Sequence, residues 1–251
     1  MPRRPADRRL RADSPPRLLL LCPLDFERAV LEGLQQEQHG VELPADAALE
    51  VCGPGRAGVD RWFASRGESA CPASLGVLLV GTAGGLRPDL PAGSAIIAER
   101  IVEASQRTWT PTFEALLANE REVRRATVLA LEEAVLSPAD KARHHAATSA
   151  CAVDLESAAF AEHCEARGWR WGVVRGISDA AGDALPREVS SWVDARGRLR
   201  PFALLGSLAR RPRTIATLPG LRRRSVASLR AAASIVARIG AVSTPVAEPI
   251  P

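Results

Sequence analysis

Residues 151–183 read CAVDLESAAFAEHCEARGWRWGVVRGISDAAGD, a pattern that predicts a strand, a helix and a second strand. The apolar run before Asp154 is typical of a short buried strand, and aspartate is a preferred residue at a helix N-cap. Alanine-rich sequence then predicts a helix that continues to Arg167, where a glycine follows as a stop signal. A second apolar and β-branched segment, 171–177, predicts another strand.

Two carboxylates stand at the ends of these strands. Glu156 falls in the first turn of the predicted helix, where free backbone N–H groups and the helix dipole favour its ionised form. Asp179 follows the second strand. Two strands joined by a helix are expected to form a right-handed βαβ unit, so both carboxylates should lie at the carboxyl edge of the sheet, where ligands bind. From the residues alone, ordinary turn chemistry is an equal alternative, because aspartate is common at helix caps and after strands.

Earlier segments predict further strands of the same sheet. Leu18–Cys22 is a buried strand, and the helix after it has Glu27 in its first turn. A short strand at 49–52 runs into a glycine turn. The aliphatic run 76–81 is typical of a strand covered on both faces, and the glycine turn predicted at 82–85 would offer backbone N–H groups to an anionic or hydroxyl-rich ligand.

Charge is distributed unevenly along the 251 residues. Residues 1–17 hold six arginines and two aspartates, residues 18–197 hold 26 acidic and 17 basic residues, and residues 198–238 hold ten arginines and no acid. We expect a disordered basic leader at 1–17, one domain at 18–240 that ends in Arg-rich amphipathic helices, and a loose, Pro-rich tail at 241–251.

The Arg-rich region has three interpretations. It can pack on the sheet as a final helix, or lie on anionic lipid at about 1 kcal/mol per arginine, and these two are compatible. We discount nucleic acid as a partner because aromatic stacking residues and a known binding motif are absent. No stretch approaches the roughly 20 apolar residues of a transmembrane helix. We therefore expect a cytoplasmic protein, with peripheral contact at the inner membrane face through this region.

The five cysteines, at positions 22, 52, 71, 151 and 164, show no metal-ligand spacing. We interpret them as buried free thiols. A dinucleotide fingerprint is also absent, so the sequence predicts neither a metal site nor an organic cofactor.

Four blocks of the sequence resemble, in order, the signature of the nucleoside phosphorylase and methylthioadenosine/S-adenosylhomocysteine nucleosidase superfamily. They are CGPGRA at 52–57, LLVGTAGGL at 78–86, VDLESAAF at 153–160 and VRGISDAAGD at 174–183. The resemblance implies a three-layer αβα fold with a central mixed, mostly parallel sheet, and a homo-oligomer of two or more chains. The segments ALP at 184–186 and LLGSLARRP at 204–212 are most similar to one branch, the hopanoid-biosynthesis-associated phosphorylase.

The resemblance assigns roles to the carboxylates. Asp179 would donate a proton to purine N7, with burial keeping it protonated and Ser178 as a hydrogen-bond partner. Glu156 would hold the ribose hydroxyls and stabilise the positive charge that develops on the sugar. Glu27 matches the glutamate that activates the attacking water in the nucleosidase branch. The residues expected to bind substrate beside Glu156 are Leu155, Thr82, Gly84 and Ser178.

Two features of related branches are missing from the sequence. Branches with soluble nucleoside substrates usually place an aromatic residue near 137–140 to stack on the purine, and none is present there. Phe113 and Trp109 are the candidate substitutes, although such residues are more often packed in the core. The phosphorylase branch also carries an arginine three residues before the loop hydroxyl, where Leu79 stands here. Leu79 favours water as the acceptor.

The acceptor nevertheless stays open, because Arg28 and Arg56 are candidates for binding phosphate as a co-substrate. The implied substrate is adenosylhopane, a nucleoside carried on a lipid, from which adenine would be released. The alternatives are a methylthioadenosine/S-adenosylhomocysteine nucleosidase and a general purine nucleoside phosphorylase. A non-catalytic membrane-associated binding protein is an alternative from another class, against which the presence of all three carboxylates argues.

Overall fold

Eight strands form one sheet in the computed structural model, which describes residues 18–36, 41, 43–45, 47–66, 76–113, 122–200 and 213–243. The strands are β1 (Leu18–Cys22), β2 (Ala47–Val51), β3 (Gly76–Gly85), β4 (Ala95–Glu103), β5 (Thr108–Trp109), β6 (Arg125–Ala130), β7 (Ala152–Asp154) and β8 (Arg170–Asp179). The helices are α1 (Asp25–Gln36), α2 (Gly55–Arg66), α3 (Pro138–Thr148), α4 (Ser157–Ala166) and α5 (Arg213–Ser243), with a short 3-10 helix at Val189–Trp192.

The sheet is mixed and mostly parallel. Parallel pairs join β1 to β2 and β3, β3 to β8, and β6 to β4 and β7. Antiparallel pairs join β3 to β7, and β4 to β5 and β8. The strands β3, β8, β4, β6 and β7 close a ring, since each of them pairs with two of the others.

Alternating side chains along the strands create two apolar layers. Leu19 and Leu21 of β1 join the core cluster that contains residues of α2 and α4. Leu18 and Leu20 join the cluster that contains residues of α1 and α5. Because successive side chains of a strand point to opposite faces, the two clusters lie on opposite sides of the sheet. The predicted three-layer αβα class is confirmed.

The last helix packs on the sheet, as one of the interpretations of the Arg-rich region predicted. Leu229, Val236 and Ile239 of α5 are fully buried in the cluster on its side or against β8. The backbone of α5 also approaches β8 closely, because a methyl group added at Gly176 would lie 2.5 Å from the carbonyl oxygen of Ser228. No described helix is long and apolar enough to cross a membrane.

Two predictions about the strands are wrong. The glycine segment at 82–85 is the end of β3 and not a turn, because Gly84 pairs with Val153 on one side and Asp179 on the other. The strands β7 and β8 do not form a parallel βαβ unit, since β7 runs antiparallel to β3 and β8 runs parallel to it. The ends of both strands still meet at Gly84, so the predicted proximity of their carboxylates survives.

The start of α4 also differs from the prediction. Glu156 occupies the N-cap position and makes no side-chain capping bond. Asp154 still caps the helix from two residues further back, since its Oδ1 accepts hydrogen bonds from the backbone N and Oγ of Ser157 at 3.2 and 2.6 Å. The helix ends at Ala166, and Gly168 follows with a φ of 63°, which is the predicted stop.

The ends of the chain are described only in part. α5 continues to Ser243, so the first residues of the predicted tail 241–251 are helical. The rest of that tail, the predicted leader 1–17 and the segment 201–212 lie outside the described residues.

Candidate active site

Arg175 on β8 is the centre of a buried group of charges. Its Nε donates to Asp154 Oδ2 at 2.7 Å, and its Nη2 lies 2.6 Å from the same oxygen and 3.1 Å from Glu156 Oε2. Burial lowers the pKa of the guanidinium, but the carboxylates of Asp154, Glu156 and Glu27 more than offset this, so the net pKa is raised. We call Glu27, Asp154, Glu156 and Arg175 the carboxylate–arginine cluster.

Glu27 is held between the start of α1 and the end of β3. Its Oε1 accepts hydrogen bonds from Thr82 N at 2.7 Å and Thr82 Oγ1 at 2.8 Å, and its Oε2 accepts from Leu24 N at 3.0 Å. The residue is only 1% exposed. Burial raises the pKa of Glu27, opposed by Arg175 and by the hydrogen bonds from Thr82 and Leu24. A carboxylate with a raised pKa is suited to accept a proton from water.

Arg175 and Glu27 converge on one small volume beside Gly81. Arg175 Nη1 is buried and has no hydrogen-bond partner among the described residues. A methyl group added at Gly81 would lie 2.8 Å from this Nη1, and 2.8 and 2.9 Å from the two carboxylate oxygens of Glu27. Arg175 Nη1 and the carboxylate of Glu27 therefore lie side by side against the backbone of Gly81, where no side chain would fit.

Glu156 connects the cluster to the earlier glycine turn. The backbone N–H of Gly55, at the start of α2, donates to Glu156 Oε1 at 2.7 Å. Burial raises the pKa of Glu156 to about 7, with Arg175 opposing the change and Asp154 adding to it. The expectation that a helix terminus alone keeps Glu156 ionised is therefore incomplete, because burial acts in the other direction.

Asp179 lies at the end of β8 with two side-chain partners. Ser178 Oγ donates to its Oδ1 at 2.6 Å, as the sequence predicted. Lys141 Nζ lies 2.5 Å from its Oδ2, a contact that the sequence did not reveal. Asp179 also borders β3, since a methyl group added at Gly84 would lie 3.2 Å from Oδ2. We call this contact the Lys141–Asp179 pair.

The predicted substrate-binding residues are the accessible part of this edge. Thr82, Gly84, Leu155 and Ser178 are each partly exposed, whereas Glu156 and Asp179 are buried. A ligand could therefore reach the buried charges over these four residues.

The two predicted phosphate ligands are paired elsewhere. Arg28 forms salt bridges with Asp25 at 2.8 Å and Glu32 at 2.5 Å. It also lines an open groove of about 610 Å³ between α1, β2 and α2. Glu27, Glu156 and Asp179 do not line this groove. Arg56 binds Glu103 at 3.0 Å and Glu162 at 3.1 Å. The geometry gives no support to either arginine as a phosphate ligand.

Neither candidate aromatic lies at the carboxyl edge. Phe113 packs at the opposite ends of β3 and β8, where methyl groups added at Gly76 and Gly172 would lie 2.0 and 2.9 Å from its side chain. Trp109 is buried in the cluster of α2 and α4. Both residues serve the core, which is the commoner role of an aromatic residue.

The described cysteines are buried free thiols, and Cys71 lies outside the described residues. Burial, with a contribution from Glu27, raises the pKa of Cys22 well above its ordinary value, and burial together with Glu156 raises that of Cys52. Both are therefore neutral neighbours of the cluster. Within the described part of the chain, no group of three or more histidine, cysteine, aspartate or glutamate side chains could hold a metal ion.

Sequence reasoning missed three charged side chains of this candidate site: Asp154, interpreted only as a cap, Arg175 and Lys141. Arg175 had a signal, because a charged residue in the middle of an apolar strand must find a buried partner. Lys141 had none, since a lysine in a helix is usually exposed.

Comparisons with known proteins give one family match and several matches of the fold. A family model described as the phosphorylase superfamily matches residues 74–210. The fold matches a methylthioadenosine/S-adenosylhomocysteine nucleosidase from Colwellia psychrerythraea in complex with adenine, with a TM-score of 0.61, 14% identity, and coverage of 90% of this chain and 94% of that one. It also matches futalosine hydrolase of Helicobacter pylori, with a TM-score of 0.60, 16% identity, and coverage of 88% and 96%. A nucleosidase of Helicobacter pylori with butyl-thio-DADMe-Immucillin-A gives a TM-score of 0.53, 20% identity, and coverage of 66% and 86%. A comparison with curated protein sequences gives no match.

Proposed function

This chain belongs to the phosphorylase superfamily, and from that premise we propose that it cleaves the N-glycosidic bond of a purine nucleoside and releases adenine. One observation carries the proposal: three carboxylates in three different environments, Glu27, Glu156 and Asp179, gather at one edge of the sheet. The fold neighbours include a nucleosidase in complex with adenine, which supports adenine as the base.

Departure of the base requires a proton. When the bond between C1′ and N9 breaks, its electron pair goes to the purine, and protonation at N7 turns the base into a neutral leaving group. Asp179 is the donor in this proposal. The accessible Ser178 and Gly84 beside it give the base a place to bind.

The sugar becomes positively charged as the base leaves. Glu156 is assigned to the ribose hydroxyls and to this charge, because a carboxylate in a buried site stabilises a developing cation more than it would in water. Its bonds to Gly55 and Arg175 hold the side chain before substrate arrives, which avoids reorganisation during the reaction.

We assign water as the acceptor. A water bound beside Glu27 could donate a hydrogen bond to this carboxylate, which then takes its proton during attack on C1′. Arg175 Nη1 is a buried donor close to the same carboxylate. Phosphate would need a cation that carboxylates do not already neutralise, but Leu79 is aliphatic, and Arg28, Arg56 and Arg175 are all paired with carboxylates. These observations favour hydrolysis over phosphorolysis.

Adenosylhopane is the substrate that we propose, with the enzyme working peripherally at the inner membrane face. The similarity of 184–186 and 204–212 to the hopanoid-associated branch supports this assignment. The exposed arginines 222, 223 and 230 of α5 add a cationic surface. Because the apolar face of α5 is buried in the core, contact with lipid would be electrostatic and not by insertion. Methylthioadenosine or S-adenosylhomocysteine is the second candidate, favoured by the nucleosidases among the fold neighbours.

The test is adenine release from adenosylhopane in detergent, with and without phosphate, beside the same assay on methylthioadenosine. We expect release without phosphate, and a loss of about 10²–10⁴-fold in Glu27→Gln and in Asp179→Asn. Glutamine at 27 keeps an oxygen for the Thr82 N–H, so that variant should still fold. A requirement for phosphate would contradict water as the acceptor, turnover of methylthioadenosine alone would contradict the lipid-linked substrate, and no release from either would favour a non-catalytic binding protein.

A further inference from the structure

Lys141 is the only lysine among the 33 lysines and arginines of the chain. It is also fully buried, on α3, and the other 32 of these residues are arginines. Lysine and arginine differ in one chemical property above all: an ammonium can release its proton, and a guanidinium stays charged at any pH that a protein tolerates. The single lysine of the chain, whose ammonium can release a proton, thus lies against the proposed proton donor.

The contacts of Lys141 fit an ammonium and leave none of its protons unused. Nζ lies 2.5 Å from Asp179 Oδ2, 2.7 Å from the carbonyl oxygen of Ala180 and 3.0 Å from that of Asp183. Three acceptors match the three N–H bonds. A buried ion pair is costly compared with its neutral form, so moving the proton from nitrogen to oxygen within such a pair requires less free energy than it does in water.

We propose that Lys141 supplies the proton that Asp179 delivers to the departing base, so that the Lys141–Asp179 pair acts as one acid. This inference rests on the proposed function and identifies the proton source that it requires. Lys141 is fully buried behind its contact with Asp179, so it acts through that residue as a positioning and proton-supplying group.

The step is balanced. The Nζ–H bond of Lys141 breaks as an O–H bond forms at Asp179, and a proton passes from the Asp179 carboxyl to purine N7 as the electron pair of the C1′–N9 bond goes to the base. Lys141 is left as a neutral amine and Asp179 as a carboxylate. The attacking water gives its proton to Glu27, which releases it to solvent, and Lys141 takes a proton from solvent before the next turnover.

Few other charges face the pair. The Asp183 carboxylate accepts a hydrogen bond from Ala180 N at 2.9 Å and lies 3.8 Å from Arg224 of α5. On α3 itself, His145 directs Nδ1 to the carbonyl oxygen of Ala150 at 2.7 Å, and Asp140 pairs with the exposed Arg143. Asp179 is therefore the acidic side chain with which Lys141 can exchange a proton.

The first test is the pH profile of adenine release by Lys141→Met and Lys141→Arg in the full chain. Methionine has a similar length and no proton, so we expect a loss of about 10²–10⁴-fold and an alkaline limb displaced to lower pH, because Asp179 must then carry its own proton. Arginine keeps the charge but cannot release a proton, so we expect it not to restore the rate. Arg143→Met, which removes an exposed cation from the same helix, should behave as wild type.

A rate near that of wild type in Lys141→Arg would overturn the proposal, because a charge alone would then suffice. A loss of rate in Lys141→Met with an unchanged alkaline limb would also overturn it, since a purely structural role predicts that result.

A second measurement does not depend on the Lys141 variants folding. Protein labelled with 15N-lysine contains a single Nζ signal, which reports whether Lys141 is an ammonium or an amine. We expect this signal to titrate with the alkaline limb of the wild-type rate, and to shift in Asp179→Asn. The proposal would be overturned if the Nζ signal did not change in Asp179→Asn. It would also be overturned if the signal titrated at a different pH from the alkaline limb of the rate. An intact pair in a chain that cleaves no nucleoside would instead refute the proposed function.

Discussion

A buried carboxylate keeps its charge only where donors point at it, and Thr82 supplies two of the three donors to Glu27. Thr82→Val removes the hydroxyl and keeps the backbone N–H. Loss of a hydrogen bond to the charged form raises the pKa of Glu27 further, so the acid limb of adenine release should move to higher pH. The pH profile of kcat/KM measures this, with Thr82→Ser as the control that keeps the hydroxyl. An acid limb that stays in place in Thr82→Val would show that Glu27 is not the base.

Glu156 makes stability depend on pH in a direction unusual for a carboxyl group. Its folded pKa of about 7 lies above the ordinary 4.5, so folding favours the protonated form. Stability from this group is complete below about pH 4.5 and is lost as the pH rises to about 7, by up to about 3 kcal/mol.

Glu156→Gln should therefore reduce the decrease in the free energy of unfolding between about pH 4.5 and about pH 7. Urea unfolding at several pH values measures it, and the exposed Glu133→Gln is the matched control. Equal slopes in wild type and Glu156→Gln would contradict the assigned shift.

At the scale of elements, the closest contact between layers is that of α5 on β8. A methyl group at Gly176 would lie 2.5 Å from the carbonyl oxygen of Ser228, so Gly176→Ala must push the helix from the sheet. We expect it to lower the free energy of unfolding by about 1–3 kcal/mol or more. Gly220→Ala is the control within α5, since nothing lies within 4 Å of the added methyl group and alanine is the better helix former by about 1 kcal/mol. Equal stability of the two variants would contradict the close packing.

At the scale of the whole molecule, the cationic surface of α5 predicts salt-dependent binding to anionic vesicles. Arg222→Gln with Arg223→Gln should weaken binding about thirtyfold, at about 1 kcal/mol for each arginine. The same change at Arg61 and Arg66 of α2, in the opposite layer, should have little effect. Co-sedimentation with vesicles at low and high salt measures both. Binding that survives high salt would contradict an electrostatic contact.

We also propose that the protein is a homo-oligomer of two or more chains, as the resemblance to the superfamily implies. Light scattering of the purified protein would test this.

The order of the elements follows from local patterns. The apolar run 18–22 predicted the bounds of β1, and Gly168 predicted the end of α4, because strand patterns and helix stop signals act over a few residues. The sequence also placed Glu156 and Asp179 at one edge of the sheet. The direction of the strands was harder to predict from the sequence. Strand β7 is only three residues long, and its antiparallel pairing with β3 is set by the closed ring of strands and not by its own residues.

The fold class and the superfamily could be predicted from the sequence alone, and the three carboxylates could be proposed from it. Their partners became apparent only in the folded chain, because these lie far apart along the sequence. Glu27 and Thr82 are separated by 55 residues, Gly55 and Glu156 by 101, and Lys141 and Asp179 by 38. A local pattern acts within one turn or one strand, whereas a buried charge is stabilised by whichever opposite charge the packing of the layers brings within hydrogen-bond distance.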